Sequence, residues 1–101
     1  MAYLKRDHND DGVLILISYY VYMVQCEGGS YYTGFSKNVE SRMKLHREGK
    51  GARYTRMHKP EKLVYIERVD SRSKAMIREK QIKKLNHHKK LELVQSQIKT
   101  E

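Results

Sequence analysis

The run from Val13 to Cys26, with the glycine-rich turn that follows it, most constrains what this chain can fold into. β-branched and aromatic residues dominate the run, and that composition favours a β-strand, in one piece or two. The letters EGGS then supply a turn, and the letters YYTGF supply a short returning strand. Residues 19–35 are therefore predicted to form a β-hairpin.

Periodic patterns after the hairpin predict three helices and one further strand. The predicted elements are a helix from Ser36 or Asn38 to about Glu48, a loop over 49–60, a strand over 62–69, a helix from Asp70 or Ser71 to about Leu85, and a helix over 87–98. The order β-β-α-β-α-α predicts an α+β fold, with a small three-stranded antiparallel sheet flanked by about three helices.

The length of 101 residues predicts a single domain. We expect an N-terminal extension over 1–18, partly flexible or extending the first strand, then the domain over 19–95 and a tail over 96–101. The chain carries 21 Lys and Arg against 12 Asp and Glu, a formal net charge of +9. This excess indicates a polyanionic partner, nucleic acid or an anionic membrane, although a charged surface tuned for solubility stays an alternative.

Cysteine and hydropathy patterns narrow the class of protein further. The one cysteine, Cys26, cannot form an internal disulfide, and no spacing of Cys and His suits a zinc site. The apolar run Val13–Ser18 is too short to span a bilayer, which needs roughly 20 residues. Acidic residues precede that run and no small-residue cleavage site follows it, unlike a signal peptide. The sequence predicts a cytoplasmic protein with no membrane partner.

Tyrosines concentrate on both arms of the predicted hairpin. Side chains alternate between the two faces of a strand, so Tyr20 and Tyr22 share one face. Tyr32, on the returning arm, is expected close to Tyr22 and two residues before Gly34, where a missing side chain permits close approach. Two phenols are thus predicted to converge beside a gap in the surface. Half-buried sheet tyrosines with exposed hydroxyls explain the same pattern.

Two of the predicted helices carry charged side chains on their packing stripes. Arg42 and His46 lie on the inward or boundary stripe of the first helix, where a guanidinium suits a phosphate or a carboxylate partner. Glu79 lies on the apolar stripe of the second helix and requires a compensating cation. Lys83, one turn later, can form that ion pair, and a magnesium ion held by one carboxylate, water and phosphate is the alternative.

Four segments occur together in a characteristic order. They are Tyr20-Val21-Tyr22, Tyr32-Thr33-Gly34, the helix NVESRMKLH and the helix AMIREKQIKKL. This order resembles the GIY-YIG nuclease superfamily, with Tyr20 at the glycine of the first motif and Thr33 at the isoleucine of the second. The runs GKGARYT and KLVYIE look most like its small stand-alone bacterial and archaeal members. The resemblance covers about residues 19–93.

The resemblance implies a metal-dependent endonuclease, a hydrolase of DNA phosphodiester bonds that acts in repair or recombination. It implies Mg²⁺ or Mn²⁺ as cofactor, with Glu79 as the metal ligand. Tyr22 would activate the attacking water, and Arg42 would stabilise the developing negative charge. Tyr32 would orient water or phosphate, and His46 would assist.

The nucleic-acid contacts are expected from the 50–59 and 83–90 segments and from the open approach at Gly34. The predicted binding residues are Gly34, Lys50, Arg53, Tyr54, Arg56, Lys83, Lys84 and Lys89. No module that reads base edges is present in the sequence, so specificity is expected from DNA shape (branched, flapped or single-stranded) or from a protein partner. Two alternatives stay open: a GIY-YIG-fold binding module with a silent active site, and an RNA binder that stacks bases on tyrosines.

Overall fold

The computed structural model describes the backbone of residues 3–6 and 14–98 and the side chains of residues 18–97. Five strands and four helices lie in this described part. They are β1 Tyr3–Arg6, β2 Leu14–Ile17, β3 Tyr19–Cys26, β4 Tyr31–Ser36, α1 Val39–Arg47, α2 Arg53–Met57, β5 Pro60–Val69, α3 Arg72–Lys83 and α4 His87–Ile98. None of these helices is both long enough and apolar enough to cross a bilayer.

The three-stranded antiparallel sheet has the order β4-β3-β5, which confirms the predicted α+β architecture. The hairpin turn Glu27–Gly29 depends on glycine, because Gly28 and Gly29 have φ angles of 89° and 92°. β1 and β2 form a separate two-stranded antiparallel sheet. The strand predicted over residues 13–26 is therefore divided at Ser18 between two sheets.

Each face of the three-stranded sheet is covered by helices, as the alternation along β3 predicted. On one face, Val21 and Met23 pack with Ala75 and Ile82 of α3 and Val94 of α4. The other face is buried under α1, where the packed residues are Tyr22, Val24, Cys26, Val39 and Met43. α1 and α3 therefore lie on opposite faces of the sheet.

The N-termini of α1 and α3 follow the capping rules. The Asn38 side chain accepts a hydrogen bond from the Ser41 N–H at 3.0 Å, and Ser71 accepts one from the Lys74 N–H at 3.2 Å. The prediction of an uninterrupted loop over residues 49–60 is wrong, since α2 occupies its centre. A helix of five residues without a side-chain cap is too short to leave a periodic pattern.

A partly buried polar network fixes α3 against β5 and so places its charged residues. The Tyr65 hydroxyl donates to the Glu67 carboxylate at 2.6 Å, and Arg78 Nε donates to the two oxygens of the same carboxylate at 2.9 and 3.2 Å. Burial raises the pKa of Tyr65, which keeps this phenol a donor. Arg78 is held at β5, on one edge of the sheet. The next residue, Glu79, extends from another side of α3 and lies at the opposite edge, beside β4, where it lines a cleft.

Candidate active site

A cleft of about 470 Å³ runs along the β4 edge of the sheet. Because α1 and α3 cover opposite faces, a side chain from each can reach this edge, and Arg42 and Glu79 meet there. The cleft is lined by Tyr19, Tyr22, Tyr32, Phe35, Ser36, Lys37, Arg42, Arg72 and Glu79. Four of the five predicted catalytic residues thus line one cleft, and the fifth, His46, is buried behind it.

A chain of three hydrogen bonds leads from Tyr22 into the protein. The Tyr22 hydroxyl lies 2.9 Å from His46 Nε2, and His46 Nδ1 lies 2.8 Å from Thr55 Oγ1. The Thr55 hydroxyl donates to the Ala52 carbonyl oxygen at 2.9 Å. We call this series Tyr22–His46–Thr55–Ala52 the hydrogen-bond chain. It joins β3, α1 and α2.

The direction of every proton in the hydrogen-bond chain follows from its last member. A carbonyl oxygen only accepts, so the single proton of the Thr55 hydroxyl is used on Ala52, and Thr55 must accept from His46 Nδ1–H. The Nε2 atom of neutral His46 then carries no proton, and it accepts a hydrogen bond from the Tyr22 hydroxyl. The remaining lone pairs of the Tyr22 oxygen are left for the cleft.

The pKa values of the site agree with this neutral arrangement. Burial lowers the pKa of His46, and the positive charge of Arg42 lowers it further. Burial also raises the pKa of Tyr22 above its ordinary value of 10.0; the neighbouring Tyr32 adds to the rise and Arg42 opposes it. The pKa of Tyr32 is raised by burial and then by the charge of Glu79. Both phenols are therefore protonated at neutral pH.

Gly34 has a different role from the predicted one. It is buried, and it pairs with Tyr22 across the β3–β4 ladder. A Cβ atom at position 34 would lie 2.8 Å from the Tyr22 hydroxyl oxygen and 3.0 Å from Tyr32 Cε2. The two phenols fill the space left by this glycine, so Gly34 is not accessible to nucleic acid. Its missing side chain instead gives the Tyr22 ring room to pack against β4.

Gly51 makes a second close approach that the sequence did not single out. A Cβ atom there would lie 2.3 Å from His46 Nδ1, the atom that donates to Thr55. Neither Gly51 nor Thr55 belongs to a periodic pattern, since both contact His46 only through the tertiary fold. The one sequence signal is their place in the run GKGARYT.

The prediction that Arg42 lies on the inward or boundary stripe of α1 is narrowed to the boundary, because the side chain is exposed. Val39, Met43 and His46 are buried as predicted, but Arg42 is exposed at the rim of the cleft. Its guanidinium forms no ion pair with a carboxylate that the structure describes, including Glu40 in α1 and Glu48 at its C-cap. A free guanidinium at this rim is suited to binding a phosphate group.

Two further cations at the cleft were missed by sequence reasoning. The Lys37 ammonium lies 5.7 Å from the ring centroid of Tyr19, and the Arg72 guanidinium lies 5.8 Å from that of Phe35. Cation–π contacts of this kind hold positive charge on an aromatic wall. Lys37 follows β4 and Arg72 begins α3, so only the sheet topology brings them together.

Glu79 is the one carboxylate among the described residues that line the cleft. Its side chain is 18% exposed, and Lys83 Nζ lies 3.3 Å from Glu79 Oε2. Within the described residues, no group of three or more His, Cys, Asp or Glu side chains could hold a metal ion. This donor set does not suit zinc, but a single carboxylate fits Mg²⁺ or Mn²⁺, which keep most ligands as water and substrate phosphate.

The predicted nucleic-acid-binding residues other than Gly34 occupy two exposed regions. Arg53, Tyr54 and Arg56 lie on α2, and Lys50 precedes it with its ammonium 3.9 Å from Glu48. Lys84 caps the C-terminus of α3. Lys89 lies on α4, 3.6 Å from Glu92, while Lys83 is paired with Glu79 as described above.

The sheet and its helices define a small α+β domain. Residues 18–92 match the GIY-YIG catalytic domain, and the chain belongs to this family. A UPF0213 protein of Staphylococcus saprophyticus is 45% identical over 75% of this chain and 93% of its own length. Another, from Staphylococcus haemolyticus, is 44% identical over 79% and 98%.

A solved structure agrees with the same assignment. The solution NMR structure of a UPF0213 protein from Bacillus halodurans is 42% identical to this chain. It covers 77% of this chain and 83% of its own, with a TM-score of 0.50. This chain is therefore similar to small GIY-YIG proteins over nearly their full length.

Proposed function

We propose that the protein is a metal-dependent endonuclease that hydrolyses phosphodiester bonds of DNA in the cleft at the β4 edge. The observation that carries the proposal is the convergence of Tyr22, Arg42 and Glu79 from three different elements on one cleft. The cleft also has an excess of positive charge, since Lys37 and Arg72 add to Arg42 against one carboxylate. A phosphodiester is the anion that such a set suits best.

In the proposed reaction a water molecule attacks the phosphorus and the bond to the leaving oxygen breaks. The leaving oxygen takes a proton from solvent, which gives a phosphomonoester end and a hydroxyl end. The attacking water gives its proton to the Tyr22 oxygen, while Tyr22 passes its own proton to His46 Nε2. Tyr22 therefore acts as a general base without first becoming a phenolate, which its raised pKa would oppose. The proton on His46 afterwards returns through Tyr22 to solvent.

Arg42 stabilises the charge that develops on the phosphate oxygens, and the phenol of Tyr32 orients the phosphate or the attacking water. Glu79 would hold the divalent ion that GIY-YIG nucleases generally use. When bound, such an ion supplies positive charge at the scissile phosphate and the leaving oxygen. The Lys83 ammonium contacts Oε2 of the same carboxylate and its side chain is 50% exposed, so in the proposed complex it can turn to a phosphate of the DNA backbone.

A binding module with a silent active site is the second candidate. The observation that favours it is the 3.3 Å ion pair of Lys83 with Glu79, which gives the carboxylate a purely structural role. This module would bind the same DNA without cutting it. A place in DNA repair or recombination stays a prediction for either candidate.

The test is cleavage of a labelled panel of single strand, duplex, flap, fork, four-way junction and RNA hairpin with Mg²⁺, with Mn²⁺ and with EDTA. Glu79→Gln should abolish metal-dependent cutting, and the matched control Glu92→Gln on α4 should leave it unchanged. Binding without cutting, by the wild type with either metal, would establish the silent module instead. Equal cutting by the Glu79→Gln protein would contradict the proposed site.

A further inference from the structure

A row of stacked aromatic rings leads from the cleft to the surface of α2. The ring centroids of Tyr32 and Tyr54 are 6.2 Å apart at an interplanar angle of 25°, and those of Tyr54 and His58 are 4.2 Å apart at 15°. We call Tyr32, Tyr54 and His58 the aromatic row. Its inner end touches the catalytic core, because the Tyr32 ring packs edge-on against His46 at 5.1 Å.

The outer end of the aromatic row is held in place before any ligand binds. His58 Nδ1 lies 3.2 Å from the Tyr54 carbonyl oxygen and donates to it, and the His58 backbone N–H donates to the same oxygen at 2.8 Å. Two bonds to one carbonyl fix the imidazole parallel to the Tyr54 ring. His58 and Tyr54 are exposed, so the far face of the imidazole is open to a further planar ring.

The segment around the aromatic row is uniformly basic. Residues 49–60 contain no Asp or Glu. Arg53, Arg56 and Lys59 form no ion pair with any carboxylate in the described part of the chain. A planar stacking surface surrounded by unpaired cations suits a ligand that alternates flat rings with phosphates, which is a nucleic-acid strand.

We propose that the aromatic row binds an unpaired nucleobase of the DNA strand whose phosphate enters the cleft, with the base stacked on His58. A base inside a duplex already stacks on neighbours above and below, so it cannot occupy this position. The inference rests on the proposed function for the nature of the ligand and deepens it. The substrate class is DNA with a single-stranded segment at the cut, such as a free strand or a flap.

The test measures binding in EDTA, where no cleavage occurs, by fluorescence anisotropy. The two probes are a short oligothymidylate and an abasic oligomer of the same length and charge. Base stacking contributes about 1–3 kcal/mol per base, so the wild type should bind the oligothymidylate roughly 5- to 160-fold more tightly. His58→Ala should reduce that preference to less than about twofold, while its binding of the abasic oligomer stays unchanged.

Two control variants separate stacking from a loss of local structure. His58→Phe keeps a flat ring and should keep the preference for bases, and Met57→Ala removes the most exposed apolar side chain of α2 and should also keep it. Equal binding of both probes by the wild type would overturn the proposal, as would a preference that His58→Ala leaves intact. A third probe, oligouridylate of the same length, tests the kind of strand: its tighter binding than that of oligothymidylate would overturn DNA as the occupant.

The outcome is separable from that of the proposed function. A protein that prefers the oligothymidylate through His58 but cuts no DNA would keep the aromatic row as a base-binding site and lose the nuclease. A protein that cuts DNA but binds both probes equally would keep the nuclease and lose the base-binding site.

Discussion

Thr55 determines which ring nitrogen of His46 carries the proton, although Thr55 itself does not line the cleft. Its hydroxyl is used on the Ala52 carbonyl, and only its lone pairs remain for His46 Nδ1–H. A valine has nearly the same shape but can neither donate nor accept. Thr55→Val therefore leaves the buried imidazole N–H of His46 without a partner, whereas the Ala52 carbonyl keeps its hydrogen bond from the Arg56 N–H at 3.2 Å.

We expect Thr55→Val to lower the free energy of unfolding by about 1–3 kcal/mol, the cost of an unpaired buried polar group. It should also slow single-turnover cleavage, because His46 can then adopt either tautomer. Only the molecules with the proton on Nδ1 can accept the hydrogen bond from Tyr22. Denaturant unfolding and cleavage at saturating protein measure the two effects. Thr55→Ser keeps the hydroxyl and should cleave at nearly the wild-type rate; equal defects in both variants would contradict the hydrogen-bond chain.

The pH dependence of stability has a defined sign at His46. Its pKa in the fold lies below the ordinary 6.5, because of burial and then Arg42, so the unfolded chain binds the proton more readily. Stability from this residue is complete above about pH 6.5 and is lost as the pH falls through the folded pKa. Urea unfolding between about pH 6.5 and 5 should show this decline.

His46→Gln should remove that decline, whereas His88→Gln, at an exposed position on α4, should leave it in place. Cleavage needs the same neutral imidazole, so its acidic limb should have a midpoint below the usual pKa of histidine. A midpoint above 6.5 would show that the imidazole is not held neutral by its surroundings.

Sequence reasoning at the residue scale succeeded where side chains follow local periodicity. Alternation placed Tyr22 and Val21 on opposite faces of β3, and the helical stripe placed Ala75 and Ile82 of α3 in the core. Arg42 was assigned to the stripe because a helical wheel does not show where a neighbouring sheet ends. Thr55 was out of reach because its partner is fixed only by the path of α2.

Among the elements, β4 depends on one missing side chain. Gly34→Ala would place Cβ 3.0 Å from Tyr22 Cζ as well as 2.8 Å from its oxygen, and both neighbours are fixed by packing. We expect a loss of about 1–3 kcal/mol in the free energy of unfolding, the usual cost of overpacking. The rate of cleavage should fall as well, because a displaced Tyr22 loses its hydrogen bond to His46.

A matched control lies next to Gly34 on the same strand. Thr33 is buried toward α3, and its hydroxyl has no hydrogen-bond partner among the described residues. Replacing it by Val removes an unsatisfied polar atom at constant shape, so Thr33→Val should be neutral or stabilising. In thermal unfolding, the midpoint of Gly34→Ala should fall, whereas that of Thr33→Val should rise or stay unchanged. A lower midpoint for Thr33→Val would contradict this prediction.

The elements themselves were largely predictable, and the exceptions have physical causes. Long runs with a period of two or 3.6 gave β3, β5, α1, α3 and α4 nearly at their observed bounds. α2 escaped detection because five residues make little more than one turn. The strand β1, which pairs with β2, was also not predicted, because the composition of a strand does not indicate which segment it pairs with.

On the scale of the whole molecule, positive charge should govern DNA binding. The affinity for a single strand falls with salt, and each phosphate contact contributes about 0.7 to the slope of log K against log salt concentration. Replacing Arg53 and Arg56 on α2 by alanine should therefore reduce that slope by about 1.4. Anisotropy titrations over a range of salt concentrations measure the change.

The control for this prediction uses the opposite edge of the sheet. Lys62 and Arg68 lie on β5, whereas the cleft lies along β4. The Lys62→Ala, Arg68→Ala protein has the same net charge as the α2 variant and should keep the wild-type slope. Equal losses in the two proteins would show that binding follows total charge rather than the surface near the cleft.

The central claim is that the Tyr22 hydroxyl, linked to His46, takes a proton from the attacking water. The most direct measurement is single-turnover cleavage of single-stranded DNA with Mg²⁺ or Mn²⁺ by Tyr22→Phe and by Tyr20→Phe. Tyr20 is the matched control, because it lies on the same strand and face but does not line the cleft. Tyr22→Phe should cleave about 10²- to 10⁴-fold more slowly, and Tyr20→Phe should cleave like the wild type. Equal rates for Tyr22→Phe and the wild type would contradict the account.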